Sequence, residues 1–435
     1  MAKNKAIATD RKQETTITKG PELRITPRLT RRDLLLGMVG AGGAAALASL
    51  SYRRFFAKAD NPAEQAVSFY GIHQAGITTP APASALVVAF DTTATSRQEL
   101  SRLFKTLTQR INFLMEGGTP PARDPHYPPH DSGILGPKVV PDNLTITVAL
   151  GQSLFDQRYG LNDLKPKRLS AMGNFPNDQL DPTLCHGDLL LQFCANEAET
   201  NLHALRDIIK NLSDVITLRW KMEGFQQPNK LNKPRTTSVR NLLGFKDGSA
   251  NLDPQDEALM DSLTWVQENA DEPAWAVGGS YQVVRVVRNL VERWDRTPLQ
   301  EQETIMGRKR DTGIPLGLNH ESDIPDYSND PEGMRVPLDT HIRLANPRTK
   351  ATDENRILRR GFNYSRGFDP AGQLDMGLLF VCFQADLEKG FIAVQNRLNG
   401  EALEEYIKPI GGGYFFALPG ITDQRQYLGQ SLLEA

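Results

Sequence analysis

Cysteine is nearly missing from this chain: three residues in 435, at Cys185, Cys194 and Cys382, with no CxxC spacing. That excludes a disulfide framework and a zinc site built on paired cysteines. Cys194 and Cys382 lie in apolar runs, LLLQFCA and LLFVCFQ, and read as buried free thiols. No apolar run reaches the roughly 20 residues a membrane-spanning helix needs. Residues 34–50 come nearest, at 17 residues rich in Gly and Ala. Positive charge is not in excess either, since the formal net charge is −2. Histidine and tryptophan are scarce as well, at seven and four residues, so each can be weighed singly. What remains is an ordinary globular composition, long enough for two packed domains.

The amino terminus departs from that background. Residues 1–32 hold nine Lys/Arg and end in the pair Arg31-Arg32. The weakly apolar run 34–50 follows, and Ala57-Lys58-Ala59 then fits an A-x-A cleavage site before Asp60. A basic, an apolar and a small-residue region in that order describe a signal peptide over residues 1–59. The twin arginine marks the route that exports folded proteins, so the expected destination is the periplasm, with no stable membrane span after cleavage. Of the 50 basic and 52 acidic residues, 12 and 4 fall in residues 1–59, leaving 38 against 48 and a net charge of −10. A mature chain that acidic is not expected to bind nucleic acid.

Hydrophobic periodicity gives one series of elements twice. Residues 85–91, 144–151, 188–195 and 216–222 read as strands. Helices fall at 96–115 and along a stripe of Leu202, Leu205, Ile209 and Leu212. The second half repeats the order, with strands at 280–290, 361–365, 376–384 and 411–420. Its helices are 297–308, opened by Thr297 and Pro298, and a stripe of Leu387, Phe391, Val394 and Leu398. Two βαββαβ units imply an α+β fold of two ferredoxin-like domains with antiparallel sheets, at 60–225 and 226–435. Residues 309–360 interrupt the second unit between a helix and a strand, and an insertion of that length is expected to carry function or a lid.

Five of the histidines sit in unremarkable surroundings: His73, His203 and His320 lack metal-binding neighbours, His186 precedes a strand, and His130 shares its stretch with the sixth, His126. In DPHYPPHD those two are four apart, but three prolines forbid the helix that would pair them. His341 differs. It stands inside the insertion in DTHIRLANPRTKATDENRILRRGFNYS, followed by Arg343, Asn346, Arg348 and the pair Arg359-Arg360. One histidine without cysteine cannot build a zinc site. It can be the single protein ligand of haem iron, with nearby arginines suited to the propionates. A plain basic loop is the competing reading of the same residues. Asp247, in LGFKDGSANLDP, reads first as a turn residue, because Asp-Gly is a common turn pair.

LGFKDGSANL resembles the GxxDG motif of dye-decolourising peroxidases, and THIRLANPR with ILRRGF resembles their proximal-histidine and arginine region. The resemblance continues through residues 373–420. Together with the twin-arginine leader it points to the Efe-type deferrochelatase/peroxidase group of bacterial ferrous-iron uptake systems. It implies one haem b (iron protoporphyrin IX) per chain, held by the second domain, with His341 as its axial iron ligand. It implies that Asp247 lies over the peroxide-binding face and that Arg359 is the distal arginine, Arg360 replacing it if the register differs by one. Gly248, Ser249 and Ala250 with Asn346, Pro347 and Arg348 are implied to line the porphyrin. The partner that orients His341 is fixed by no motif; Glu401 is a candidate.

These roles imply a peroxidase in which Asp247 moves a proton on hydrogen peroxide and Arg359 steadies the developing charge. Electrons would come from a small reducing substrate. Surface Tyr or Trp would relay them from bulky donors, and the four tryptophans offer no basis for choosing one. The same pocket equally suits a haem- or porphyrin-binding protein of iron acquisition, partnered with other components of a ferrous-iron uptake system. A homodimer belongs to the same expectation. A binding module without cofactor is the third reading, in which His341 is a plain loop residue.

Overall fold

The computed structural model describes residues 65–227 and 238–435. The leader read at 1–59 lies outside them. Among the described residues no helix is long and apolar enough to cross a membrane.

The first half runs β1 (Ser84–Thr92), α1 (Arg97–Glu116), β2 (Thr145–Gly151), β3 (Leu189–Ala195), α2 (Ala198–Leu212) and β4 (Ile216–Phe225). Helix α1 starts where the sequence signals it, because Ser96 caps it by accepting from the Glu99 amide. The strands pair antiparallel in the order β4-β1-β3-β2. In the second half a short ribbon of β5 (Val239–Arg240) and β6 (Lys246–Asp247) leads to α3 (Glu257–Leu263), β7 (Ser280–Asn289) and α4 (Leu299–Met306). The insertion then supplies α5 (His341–Ala345). It is followed by β8 (Leu358–Arg359), β9 (Phe362–Phe368), β10 (Leu374–Gln384), α6 (Ala393–Leu398) and β11 (Ile407–Ala417). Its long strands pair as β11-β7-β10-β9, the same ferredoxin-like order.

The two sheets join edge to edge. Strand β11 pairs with β2 at Phe415–Ala417, and β4 meets β9 at Phe225 and Asn363. With β7 on β10, eight antiparallel strands close a ring, β4 and β9 meeting only at that one pair. Successive side chains on a strand point to opposite faces, so every strand contributes to two cores. Ala85, Val87 and Ala89 point inward with Val284, Val286, Leu379, Val381 and Phe415. Leu86, Val88 and Phe90 point outward beneath Phe104, Leu107 and Ile111 of α1 and Ile208 of α2. On the second sheet the outward residues of β7, β10 and β11 include Val287, Leu378, Phe380 and Ile407, which form the floor of a cavity.

Three local readings change. In α2, Leu202 is exposed and Ile209 half-buried, while Asn201, His203, Ala204, Asp207 and Ile208 face inward. A bidentate ion pair from Arg110 of α1 to the enclosed Asp207 turns the helix that way. Helix α4 begins after Pro298, and the Thr297 hydroxyl bonds back to the Arg293 carbonyl instead of capping it. The Leu387–Leu398 stripe is broken: a π-helical turn, Glu388–Ile392, precedes α6.

Phe415 lies in the interior beside the seam between β11 and β2. Phe415→Ala is expected to destabilise the protein by about 3–5 kcal/mol through the cavity it opens, read as a lower denaturant midpoint.

A histidine, an acid–arginine pair and unpaired arginines in one cavity

The insertion holds His341 through a helix of only five residues. Such a helix is not stable alone, and its contacts show what fixes it. Arg397 of α6 donates to the carbonyls of Leu344 and Ala345, the end of the helix that lacks partners. Gly307, the left-handed cap of α4, lets that helix pack closely, since a Cβ there would strike Ile342. Arg343 is tied to the Val336 and Asp330 carbonyls, and Asp330 in turn accepts from the Val336 amide.

His341 Nδ1 lies 2.8 Å from Oε2 of the buried Glu401. This bond sets the proton on Nδ1 and frees Nε2 as a lone-pair donor. Burial opposes the charged imidazolium, but the Glu401 carboxylate outweighs it, and the pKa of His341 stands above its ordinary value of 6.5. The carboxylate candidate from the sequence is therefore the observed partner.

Asp247 ends β6, and Gly248 follows with φ of +103° at the start of a turn closed by the Asn251 amide on the Gly248 carbonyl. Arg359 Nη1 donates to Asp247 Oδ1 at 2.9 Å. Asn251 locks the two segments together: its amide donates to the Arg359 carbonyl at 2.8 Å and accepts from the Arg359 amide at 2.9 Å. Arg359 lines the cavity, whereas Arg360 is buried on the other side and donates to the Thr79 carbonyl. Glu321 of the insertion accepts from Lys246, Ser238 and Ser249. Burial alone would raise its pKa, but those partners hold it below the usual carboxylate range.

His341, Asp247 and Arg359 line one cavity of about 300 Å³, and the charges of Asp247 and Arg359 both act on the imidazole. Gly248, Ser249, Ala250, Asn346 and Arg348 line it too, whereas Pro347 does not. Phe380, Phe391 and Leu398 add apolar walls. Arg308, Arg348 and Arg356 also face the cavity, and none forms an ion pair among the described residues. Burial pushes the pKa of Arg308 and Arg348 down. Arg348 sits in the left-handed region at φ +58°, its amide bonded to Asn346 Oδ1 and its Nε buried without a partner. Strain of this kind persists where surrounding structure imposes it, commonly at ligand sites. The sequence reading missed Arg308, Arg356 and Glu321. It also called on surface tryptophans, but all four are buried.

Among the described residues no cluster of three His, Cys, Asp or Glu side chains could hold a bare metal ion. A braced single histidine in an apolar cavity, with uncompensated guanidinium groups on its lining, fits a flat metallated macrocycle carrying acidic substituents. Buried guanidinium charge needs such counter-charge, so the residues present fit haem. Fold and site together define a haem protein whose cavity is lined by a carboxylate-braced histidine and an acid–arginine pair.

The N-terminal Dyp-type peroxidase model matches residues 74–226 and the C-terminal one residues 238–422. The chain belongs to the Dyp-type peroxidase family. It is 55% identical over 413 residues to a deferrochelatase of Yersinia pestis bv. Antiqua (strain Nepal516), covering 93% of this chain and 95% of that one. It is 58% identical over 366 residues to a deferrochelatase of Escherichia coli (strain K12), with 84% and 86% covered. Among solved structures, a DyP-type peroxidase from Cellulomonas bogoriensis superposes with a TM-score of 0.77 at 35% identity, covering 86% of this chain and 100% of that one. Ferric DtpA from Streptomyces lividans gives 0.76 at 34%, with 86% and 98% covered.

In the cofactor-free protein, the raised pKa of His341 adds stability that is complete below about pH 6.5 and fades as pH rises through the folded value. Glu401→Gln is expected to lower that pKa and flatten this part of the stability–pH curve, read by imidazole NMR and by denaturant midpoints from about pH 5 to about pH 9.

Proposed function

We propose that the cavity takes one haem b per chain, with His341 as the iron ligand, and that this chain reduces hydrogen peroxide there. The observation that carries the reading is the shared cavity of the His341–Glu401 and Asp247–Arg359 pairs. Bound haem supplies the two-electron chemistry that splits the O–O bond of peroxide. The protein supplies the proton and the charge. Asp247 takes the proton from one oxygen of peroxide and returns it to the leaving oxygen, a single carboxylate acting first as base and then as acid. Arg359 holds the Asp247 carboxylate in place through its hydrogen bond, and its remaining donors meet the negative charge on the departing oxygen. Glu401 keeps the His341 proton on Nδ1, so Nε2 is available to the metal. Arg308, Arg348 and Arg356 supply counter-charge for the propionates.

The curated relatives bear the name deferrochelatase, which favours a second reading, in which the pocket serves iron acquisition by releasing iron from haem. Both readings need His341 and the cavity. A haem carrier needs no acid–arginine pair, so Asp247 and Arg359 favour peroxidation as the chemistry. The twin-arginine leader supports export of the folded, loaded protein to the periplasm, where a ferrous-iron uptake system is the proposed context and a homodimer the proposed assembly.

His341→Ala is expected to lose the Soret signature of histidine-ligated haem, and an unchanged spectrum excludes it as ligand. Asp247→Asn and Arg359→Leu are expected to keep haem but slow its reaction with peroxide, by about 10²–10⁴-fold for the carboxylate. Stopped-flow rates equal to wild type in both would remove the distal roles. Incubating the haem-loaded protein with peroxide and a dye, then with an iron chelator, separates the two readings. Bleached dye with no chelated iron supports peroxidation, and chelated iron with free porphyrin supports iron release.

A further inference from the structure

Asp247 ends a ribbon whose two strands are only two residues long, too little pairing to hold a side chain in place. The residue after it gives no support: Gly248 is exposed, and a Cβ built there would meet nothing within 4 Å. Asn251 ties this loop to Arg359 on one flank. On the other flank it is held from the insertion, by Glu321.

Three donors converge on the Glu321 carboxylate, and all come from the stretch that carries Asp247. Lys246, the residue before Asp247, donates its ammonium to Oε2. Ser249, two residues after it, donates to Oε1 at 2.9 Å, and Ser238, just ahead of β5, donates to the same oxygen at 2.7 Å. Glu321 follows a well-anchored segment. Residues 307–316 fold back on the end of α4, with the Lys309 amide on the Ile314 carbonyl and the Leu316 amide on the Gly307 carbonyl. Arg240 of β5 donates to the carbonyls of Arg310 and Asp311. Buried Arg308 donates to the Gly313 carbonyl at 2.7 Å and lies 3.5 Å from the carbonyl of Glu321 itself. At its start the same segment packs on the helix of His341, through Gly307 and Ile342. One stretch of chain, 307–321, therefore touches the His341 helix at one end and the Asp247 loop at the other.

We propose that Glu321 is a positioning residue for Asp247, fixing its loop relative to His341 across the cavity and holding the Lys246 ammonium off the Asp247 carboxylate. The proposal rests on the peroxidase reading above. Proton transfer needs hydrogen-bond reach, and a misplacement of about 1 Å can cost about a hundredfold in rate. Lys246 lines the cavity beside Asp247. Arg359 already occupies Asp247 Oδ1, so an ammonium released from Glu321 would compete with peroxide for Oδ2, in a charge-assisted bond that is hard to displace.

The test uses the full-length protein. Hydrogen exchange is followed with and without haem, and the rate of the Soret change on adding peroxide is expressed per bound haem. E321A is expected to speed exchange of the amides from Lys246 to Asn251 about tenfold or more, leaving those of β7 and β10 unchanged. Its peroxide rate is expected to fall about ten- to a hundredfold, with the resting Soret band unchanged. E321Q keeps the shape of the side chain and an acceptor for the serines but strands the Lys246 charge, and it is expected to be slowed as well. E321Q/K246Q removes that charge and is expected to regain about threefold or more over E321Q, a recovery that a general loss of stability would not give. Unaltered exchange at Lys246–Asn251 in E321A overturns the positioning role. An E321A rate within about twofold of wild type does so too, as does a double variant no faster than E321Q. A wild-type Soret band that does not respond to peroxide overturns the peroxidase reading itself, whereas a full wild-type response with any of those three results overturns the part of Glu321 alone.

Discussion

Closing eight strands into a ring gives every strand one inward and one outward face, and most of the structure follows from that alternation. Val284 and Val286 fill the interior, while Val287, one residue on, belongs to the cavity floor. Leu379 and Val381 point inward, and Leu378 and Phe380 outward. The first sheet spends its outer face on two long helices and is closed there. The second has its helices broken into short pieces, so part of its outer face is left for a ligand. The site exists because one half of a repeated architecture is covered less completely than the other.

The same alternation explains why the acid–arginine pair is so specific. Arg359 and Arg360 are identical residues side by side, yet Arg359, at the end of β8, reaches Asp247 while Arg360, just beyond it, reaches Thr79. Asn251 fixes the choice through the backbone of Arg359, which is independent of side-chain rotamers. Residues 112 positions apart are thus held at hydrogen-bond distance without help from a ligand. Such pre-organisation is where electrostatic catalysis gets most of its advantage, because no reorientation is needed as charge develops.

Strands and their order were legible because they depend on local pattern, period two along each strand. Asp247, His341 and Arg359 were singled out only by the resemblance to a family: read by their neighbours alone they were a turn residue and a basic loop. What stayed hidden depends on partners far away in the chain. The inward face of α2 is set by Arg110 on another helix, so its own apolar stripe misleads. Glu321 carries no motif and matters only because Lys246, Ser238 and Ser249 converge on it. Arg308 and Arg356 look like surface charge until the fold turns them towards the cavity. The tryptophans failed as surface candidates for a simple reason: large aromatic side chains bury well wherever the indole N–H finds a carbonyl, as Trp220, Trp275 and Trp294 do.

The charges on the cavity lining connect stability with function. Three guanidinium groups without ion-pair partners, two of them desolvated enough to lower their pKa, are a standing cost to the folded chain. A ligand that brings two carboxylates offsets that cost, and anything that binds the folded state alone stabilises it by mass action. The proposed cofactor would therefore couple loading to folding, because its carboxylates would stabilise the folded chain when they meet these guanidinium groups. A chain that leaves its compartment already folded would carry the cofactor with it, so the proposed export route and the electrostatics of the cavity point the same way. The paired charges, His341 with Glu401 and Arg359 with Asp247, are satisfied within the protein itself, and this separates the residues proposed to react from those proposed to meet the ligand's charge.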